Sequence, residues 1–227
     1  MRTQQSNSSA VRPARLRRAR PRLLRRKKPL TANLMNLANL LSFSRIIATV
    51  PLAWLIMLNR SWAYLSAFVL FVVVAVSDTL DGRLARRYGW VTNVGIFLDL
   101  TADKIYTTAM LVALVTVGLL NPWAAILILV REFVVTGLRS FAAAEGHVIP
   151  AGRWGKLKML VTIVALGWVL LKANFDHGGV LALINPGGVL GWALGLAPLA
   201  IWVTVVLTII SGTEYVWGAR GLFETKR

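Results

Sequence analysis

The sequence contains no cysteine, which excludes disulfides, thiolate metal sites and cysteine nucleophiles together. Histidine occurs only as His147 and His177, so a metal on this chain has to sit on oxygen or on those two imidazoles. Charge is also scarce, at 15% of 227 residues against 56% hydrophobic, with a mean hydropathy of +0.63. A water-facing surface cannot be assembled from so little polar material, and the chain reads as an integral membrane protein.

What charge there is lies unevenly. Residues 1–28 carry eleven Arg or Lys and no acid, which accounts for eleven of the seventeen net positive charges. Such a block beside a first span is expected to be a disordered cytoplasmic tail lying on anionic lipid, as the positive-inside rule has it. It has no aromatic residue for stacking on bases, so nucleic-acid binding is not expected. It lacks the small-residue cleavage site of a secretory signal, although an organelle transit peptide shares its composition.

Beyond it, a span takes about 20 apolar residues as helix. Apolar runs at about 40–58, 61–82, 94–120, 122–143, 155–173 and 189–211 predict six transmembrane helices in one all-α bundle. Residues 31–44 place Leu34, Leu37 and Leu41 on one face, which suits a short interfacial helix before the first span, or else an early start of that span. The expected organisation is a tail over 1–30, the six-helix domain over 31–215 and a short C-terminal tail over 216–227. With the tail inside, alternation puts Arg83, Arg86, Arg87, Arg153, Lys156, Lys158 and Arg220 on its side and only Arg60 and Lys172 opposite. Both termini are then cytoplasmic. His147 and His177 fall in connecting segments on opposite sides, and neither makes a metal site by itself. The Gly-rich stretch over 174–188 has no Lys or Arg and reads as turns rather than a phosphate cradle.

The hydropathy pattern is violated where four of the nine acidic residues fall between 78 and 103. Ionisable groups at membrane depth are functional candidates. Asp78 and Asp81 lie three apart on the second helix, with Gly82, Ala85 and Arg86 adjoining, and Gly95, Asp99 and Asp103 follow at spacing four on the third. A short connection brings these helix ends together. Four uncompensated carboxylates would repel at several kcal/mol per buried charge, so a cation belongs among them. Oxygen ligands in this number suit one or two Mg²⁺ or Mn²⁺ ions, able to polarise a pyrophosphate. The small residues alone would read as plain helix packing.

The segment from Asp78 to Asp103 reads Asp-x2-Asp-Gly-x2-Ala-Arg-x8-Gly-x3-Asp-x3-Asp. It resembles the CDP-alcohol phosphotransferase signature at every fixed position. VREFVVTGLRSFAAAEG over 130–146, RWGKLKML over 153–160 and NLANLLSFSRII over 36–47 more loosely resemble the phosphatidylglycerophosphate synthase branch. The resemblance implies a membrane enzyme of phospholipid synthesis, a homodimer, that joins CDP-diacylglycerol to glycerol 3-phosphate and releases CMP. By the same resemblance Asp78, Asp81 and Asp99 hold two divalent ions, with Asp103 a further ligand or the base. Gly82, Ala85 and Arg86 line the CDP site. The expected place is the cytoplasmic membrane of a bacterium, active site inward.

An anionic acceptor needs its own cations. Arg139 and Lys156 are the chosen candidates for its phosphate, with Lys104 and Arg45 behind them, and Lys158 and Arg153 are expected to snorkel to the interface. Arg131 and Glu132 point about 100° apart, so Glu132 is expected to pair across helices in a structural role. The alternatives are another acceptor, such as inositol phosphate or serine, and, from a different class, a cation transporter.

Overall fold

The computed structural model describes residues 37–88, 93–145, 153–184, 188–218 and 220, without the side chains of 37–41, 79–88, 93–94, 96 and 153. Among the described residues all regular structure is helical: α1 (Leu37–Met57), α2 (Ser61–Tyr88), α3 (Asn93–Thr116), α4 (Pro122–Ala144), α5 (Arg153–Asp176), α6 (Val180–Ile184), α7 (Val189–Gly195) and α8 (Ala197–Gly218). Each anticipated apolar run contains a helix, although the third, expected to reach 120, ends at Thr116. The sixth is divided at Leu196, because Pro198 has no N–H for a bond to the preceding turn and is tolerated only at the start of a new helix. The last helix runs to Gly218, beyond the end of the expected run at 211. From Leu37 on, the expected interfacial helix is the beginning of α1; residues 31–36 lie outside the described residues.

Among the described residues three stretches are long and apolar enough to cross a membrane: Ser61–Asp78, Trp154–Asp176 and Val189–Gly218. The apolar part of α1, Ser42–Met57, is shorter. Helices α3 and α4 are of similar length but carry Asp99, Asp103 and Lys104, and Arg131, Glu132 and Arg139, within it. Outward faces bear large apolar side chains such as Val73, Ile126, Val164 and Val206, as a lipid-facing surface requires.

The long helices close into a ring. Helix α1 packs on α2 and α3, α2 on α5, α5 on α8, α8 on α4, and α4 back on α3. Each contributes an inward stripe at three- and four-residue spacing: Tyr64, Ala67, Phe71 and Val74 from α2; Ile201, Thr204, Thr208, Ser211 and Tyr215 from α8. At one end this interior is apolar, with Leu52, Ile56, Leu111, Leu114 and Leu170. At that end Asn174, fully buried, donates from Nδ2 to the Ser61 carbonyl at 2.7 Å and accepts from the Leu181 amide at 3.3 Å. Gly179 lies against it so closely that a Cβ there would meet Asn174 Nδ2 at 2.2 Å. Gly178 takes a φ of 68° in the turn that follows Asp176, and Gly187 lies outside the described residues.

Candidate active site

Continuing the inward stripes toward the other end of the ring converts them from apolar to charged. On α2 the next inward position after Val74 is Asp78; on α3 Asp103 precedes Tyr106 and Met110; on α5 Lys158 precedes Thr162. These side chains wall a cavity of about 330 Å³, to which α1, α2, α3, α4, α5 and α8 all contribute. Six basic residues (Arg45, Lys104, Arg131, Arg139, Lys156, Lys158) and three acidic ones (Asp78, Asp103, Glu132) line it. A cavity with that excess of positive charge suits a ligand carrying several negative charges.

On its carboxylate side, Arg45 of α1 is buried and forms ion pairs with Asp78 of α2 and with Asp99 of α3, the latter at 3.3 Å. Helix α1 thus joins the two aspartate-bearing helices. Asp99 is 60% exposed, whereas Asp103, one turn on, faces the cavity within electrostatic reach of both Asp78 and Asp99. On the opposite side Glu132 gathers cations. Lys104 Nζ lies 2.5 Å from Oε2 and Arg131 Nη1 3.2 Å from Oε1, and Lys158 Nζ pairs with Oε1. Arg131 also donates from Nη2 to Ser211 Oγ at 2.5 Å, and its guanidinium lies 5.7 Å from the centre of the Tyr215 ring. Lys104 bridges the two sides, standing 3.7 Å from Asp103.

The structure brings together Asp78, Asp99, Asp103, Arg45 and Lys104, and sets Arg139 and Lys156 in the wall of the same cavity. The side chains of Asp81, Gly82, Ala85, Arg86 and Arg153 lie outside the described residues, as does His147. His177 faces the other end, where its ring lies 5.1 Å from that of Tyr64. Lys158 corrects its expectation: it does not snorkel outward but is 6% exposed, because Glu132 supplies a partner inside. Glu132 does pair across helices, with α3 and α5. Sequence reasoning passed over Arg131, Lys158 and Tyr106 as cavity residues. The signal was there for Arg131, three residues after buried Ile128 and four before buried Val135.

The donors available to a metal are carboxylate oxygens, the set that hard divalent ions prefer. Asp78 Oδ1 and Asp99 Oδ1 already converge on one cation, the Arg45 guanidinium. Among the described residues no three acidic side chains close into a cluster, and Asp81 stands one turn from Asp78 on the same helix. This donor set fits a divalent ion.

A model of the CDP-alcohol phosphatidyltransferase family matches residues 35–210, a span that holds all of these site residues except Tyr215 and Ser211. The chain is 36% identical over 195 residues to a CDP-diacylglycerol–glycerol-3-phosphate 3-phosphatidyltransferase of Bacillus subtilis strain 168, covering 80% of this chain and 94% of that one. It is 32% identical over 180 residues to the protein of the same name from Rickettsia typhi, covering 79% and 94%. It is 36% identical over 190 residues to a probable phosphatidylglycerophosphate synthase of Mycobacterium tuberculosis, covering 82% of each.

Proposed function

The chain belongs to the CDP-alcohol phosphatidyltransferase family, and from that membership we propose that it transfers the phosphatidyl group of CDP-diacylglycerol to glycerol 3-phosphate, giving phosphatidylglycerophosphate and CMP. The observation that carries this reading is the pairing, across one cavity, of Asp78 and Asp103 with the basic cluster of Lys104, Arg131 and Lys158. A cation path would be walled by carboxylates; here basic side chains outnumber acidic ones, which favours phosphate-bearing substrates over a transported cation.

Asp78, Asp81 and Asp99, with Asp103 as a further ligand, would hold Mg²⁺ or Mn²⁺, in one or two ions. When bound, such an ion supplies charge neutralisation for the pyrophosphate and its leaving CMP. Gly82 and Ala85 leave room for the nucleotide, and Arg86 pairs with phosphate. Arg139 and Lys156, both exposed residues of the cavity lining, would take the acceptor phosphate together with the less exposed Glu132 cluster. The acceptor hydroxyl is thereby held toward Asp103, which takes its proton. The hydroxyl oxygen forms the new bond to the phosphatidyl phosphorus as the bond to CMP breaks.

We place this chemistry in a homodimer of six-span subunits in a bacterial cytoplasmic membrane. Termini and cavity face the cytoplasm, and the basic tail over 1–30 lies on anionic lipid. The test is the lipid product. Purified protein is incubated with CDP-diacylglycerol, Mg²⁺ and glycerol 3-phosphate, serine or inositol 1-phosphate in turn, and mass spectrometry should find phosphatidylglycerophosphate with glycerol 3-phosphate and no phosphatidyl product with the other two. Product from serine or inositol 1-phosphate alone would keep the chemistry and reassign the acceptor.

A further inference from the structure

Three cations converge on the single carboxylate of Glu132, which is itself 13% exposed: Lys104 from α3, Arg131 from α4 and Lys158 from α5. Arg131 then ties this group to α8 through Ser211 and the face of Tyr215. Counting Asp103, which stands 3.7 Å from Lys104, two acids meet these three bases and leave one positive charge in the cavity wall, and Arg131 Nε, also buried, has no hydrogen-bond partner among the described residues. For fold stability alone this is a costly arrangement, since buried charge is tolerated only when matched. It makes sense if the missing negative charge arrives with a ligand.

We propose that Glu132 is a positioning residue for the phosphate-bearing acceptor. Its carboxylate holds the heads of Lys104, Arg131 and Lys158 in one place, against their mutual repulsion, so that a doubly charged phosphate meets them already converged. Glu132 does not touch the ligand; it shapes the seat. This rests on the transfer reading above and adds to it a residue that works through its neighbours.

The sign of the effect separates positioning from simple charge. Replacing Glu132 by Gln raises the seat's charge by one, and attraction alone would then tighten an anion. Positioning predicts weaker binding, because the three cations splay apart once the shared carboxylate is gone.

The experiment measures CMP release by the full-length purified protein in detergent, varying glycerol 3-phosphate and CDP-diacylglycerol separately, for wild type, Glu132→Gln and Glu132→Asp. The thermal midpoint of each protein is recorded alongside. The expected result is a rise in the KM for glycerol 3-phosphate of about tenfold in Glu132→Gln and about threefold in Glu132→Asp, with the KM for CDP-diacylglycerol within about twofold of wild type. An unchanged or lower KM for glycerol 3-phosphate in either folded variant overturns the proposal, as does a fall in kcat alone that tracks the thermal midpoint. If Glu132→Gln does not fold, the Asp variant decides, since it keeps the charge and shifts the carboxylate back by one methylene. A wild-type protein with no release from any acceptor would instead sink the transfer reading itself, and a wild type active only with serine would sink the phosphate seat.

Discussion

Arg45 and Asp99, 54 positions apart, meet at 3.3 Å where α1 crosses α3, and the same guanidinium pairs with Asp78 of α2. The first helix is thus part of the candidate active site through a basic residue placed between acids. Replacing Arg45 with Met leaves Asp78 facing Asp99 with no shared counter-ion. We predict that Arg45→Met lowers stability by about 1–3 kcal/mol, less than a fully buried pair would cost because Asp99 is largely exposed. Thermal melting in metal-free detergent measures it, and added Mg²⁺ should recover more of the midpoint in the variant than in wild type. A variant as stable as wild type would mean that the aspartates do not depend on this partner.

Asp78→Asn and Asp99→Asn keep the shape of the side chain and remove its charge. Each should lower kcat by at least about a hundredfold if these oxygens hold a metal, and a chelator should abolish wild-type turnover until Mg²⁺ or Mn²⁺ is restored. Turnover indifferent to chelator would remove the metal from the account.

Lys158→Met removes a buried ammonium and a partner of Glu132 at once. The expected effect is a loss of about ten- to a hundredfold in kcat/KM for glycerol 3-phosphate. The KM for CDP-diacylglycerol should stay near wild type. Equal losses on both substrates would place Lys158 in general packing instead.

At the far end of the ring, Asn174→Ala leaves the Ser61 carbonyl and the Leu181 amide without their partner. It should cost about 1–3 kcal/mol in stability and leave both KM values unchanged in protein that remains folded. A shift in either KM would connect the two ends of the bundle in a way that the geometry does not suggest.

The helices were legible because each apolar run is long and bounded by turn residues, such as Asn121 and Pro122. There the Asn121 side chain accepts from the Trp123 amide and Pro122 occupies the first turn. The aspartates were legible because they break the hydropathy pattern. The order of helices around the ring was not, since it depends on which faces interlock, and an adjacent pair in sequence carries no record of α1 reaching both Asp78 and Asp99. Lys158 was misread for the same reason. A lysine near a helix end snorkels unless another helix offers it an acid, and Glu132 lies 26 residues earlier in the chain. Arg131 and Glu132 were seen as neighbours in sequence, and only the structure shows that both lie on the inward side of α4.

The most direct test of the account is acceptor-dependent CMP release from CDP-diacylglycerol by the purified protein with Mg²⁺, measured beside Asp103→Asn. The account predicts release that requires glycerol 3-phosphate and is lost in the variant. Release that proceeds without any acceptor alcohol, or that survives in Asp103→Asn at the wild-type rate, would contradict it.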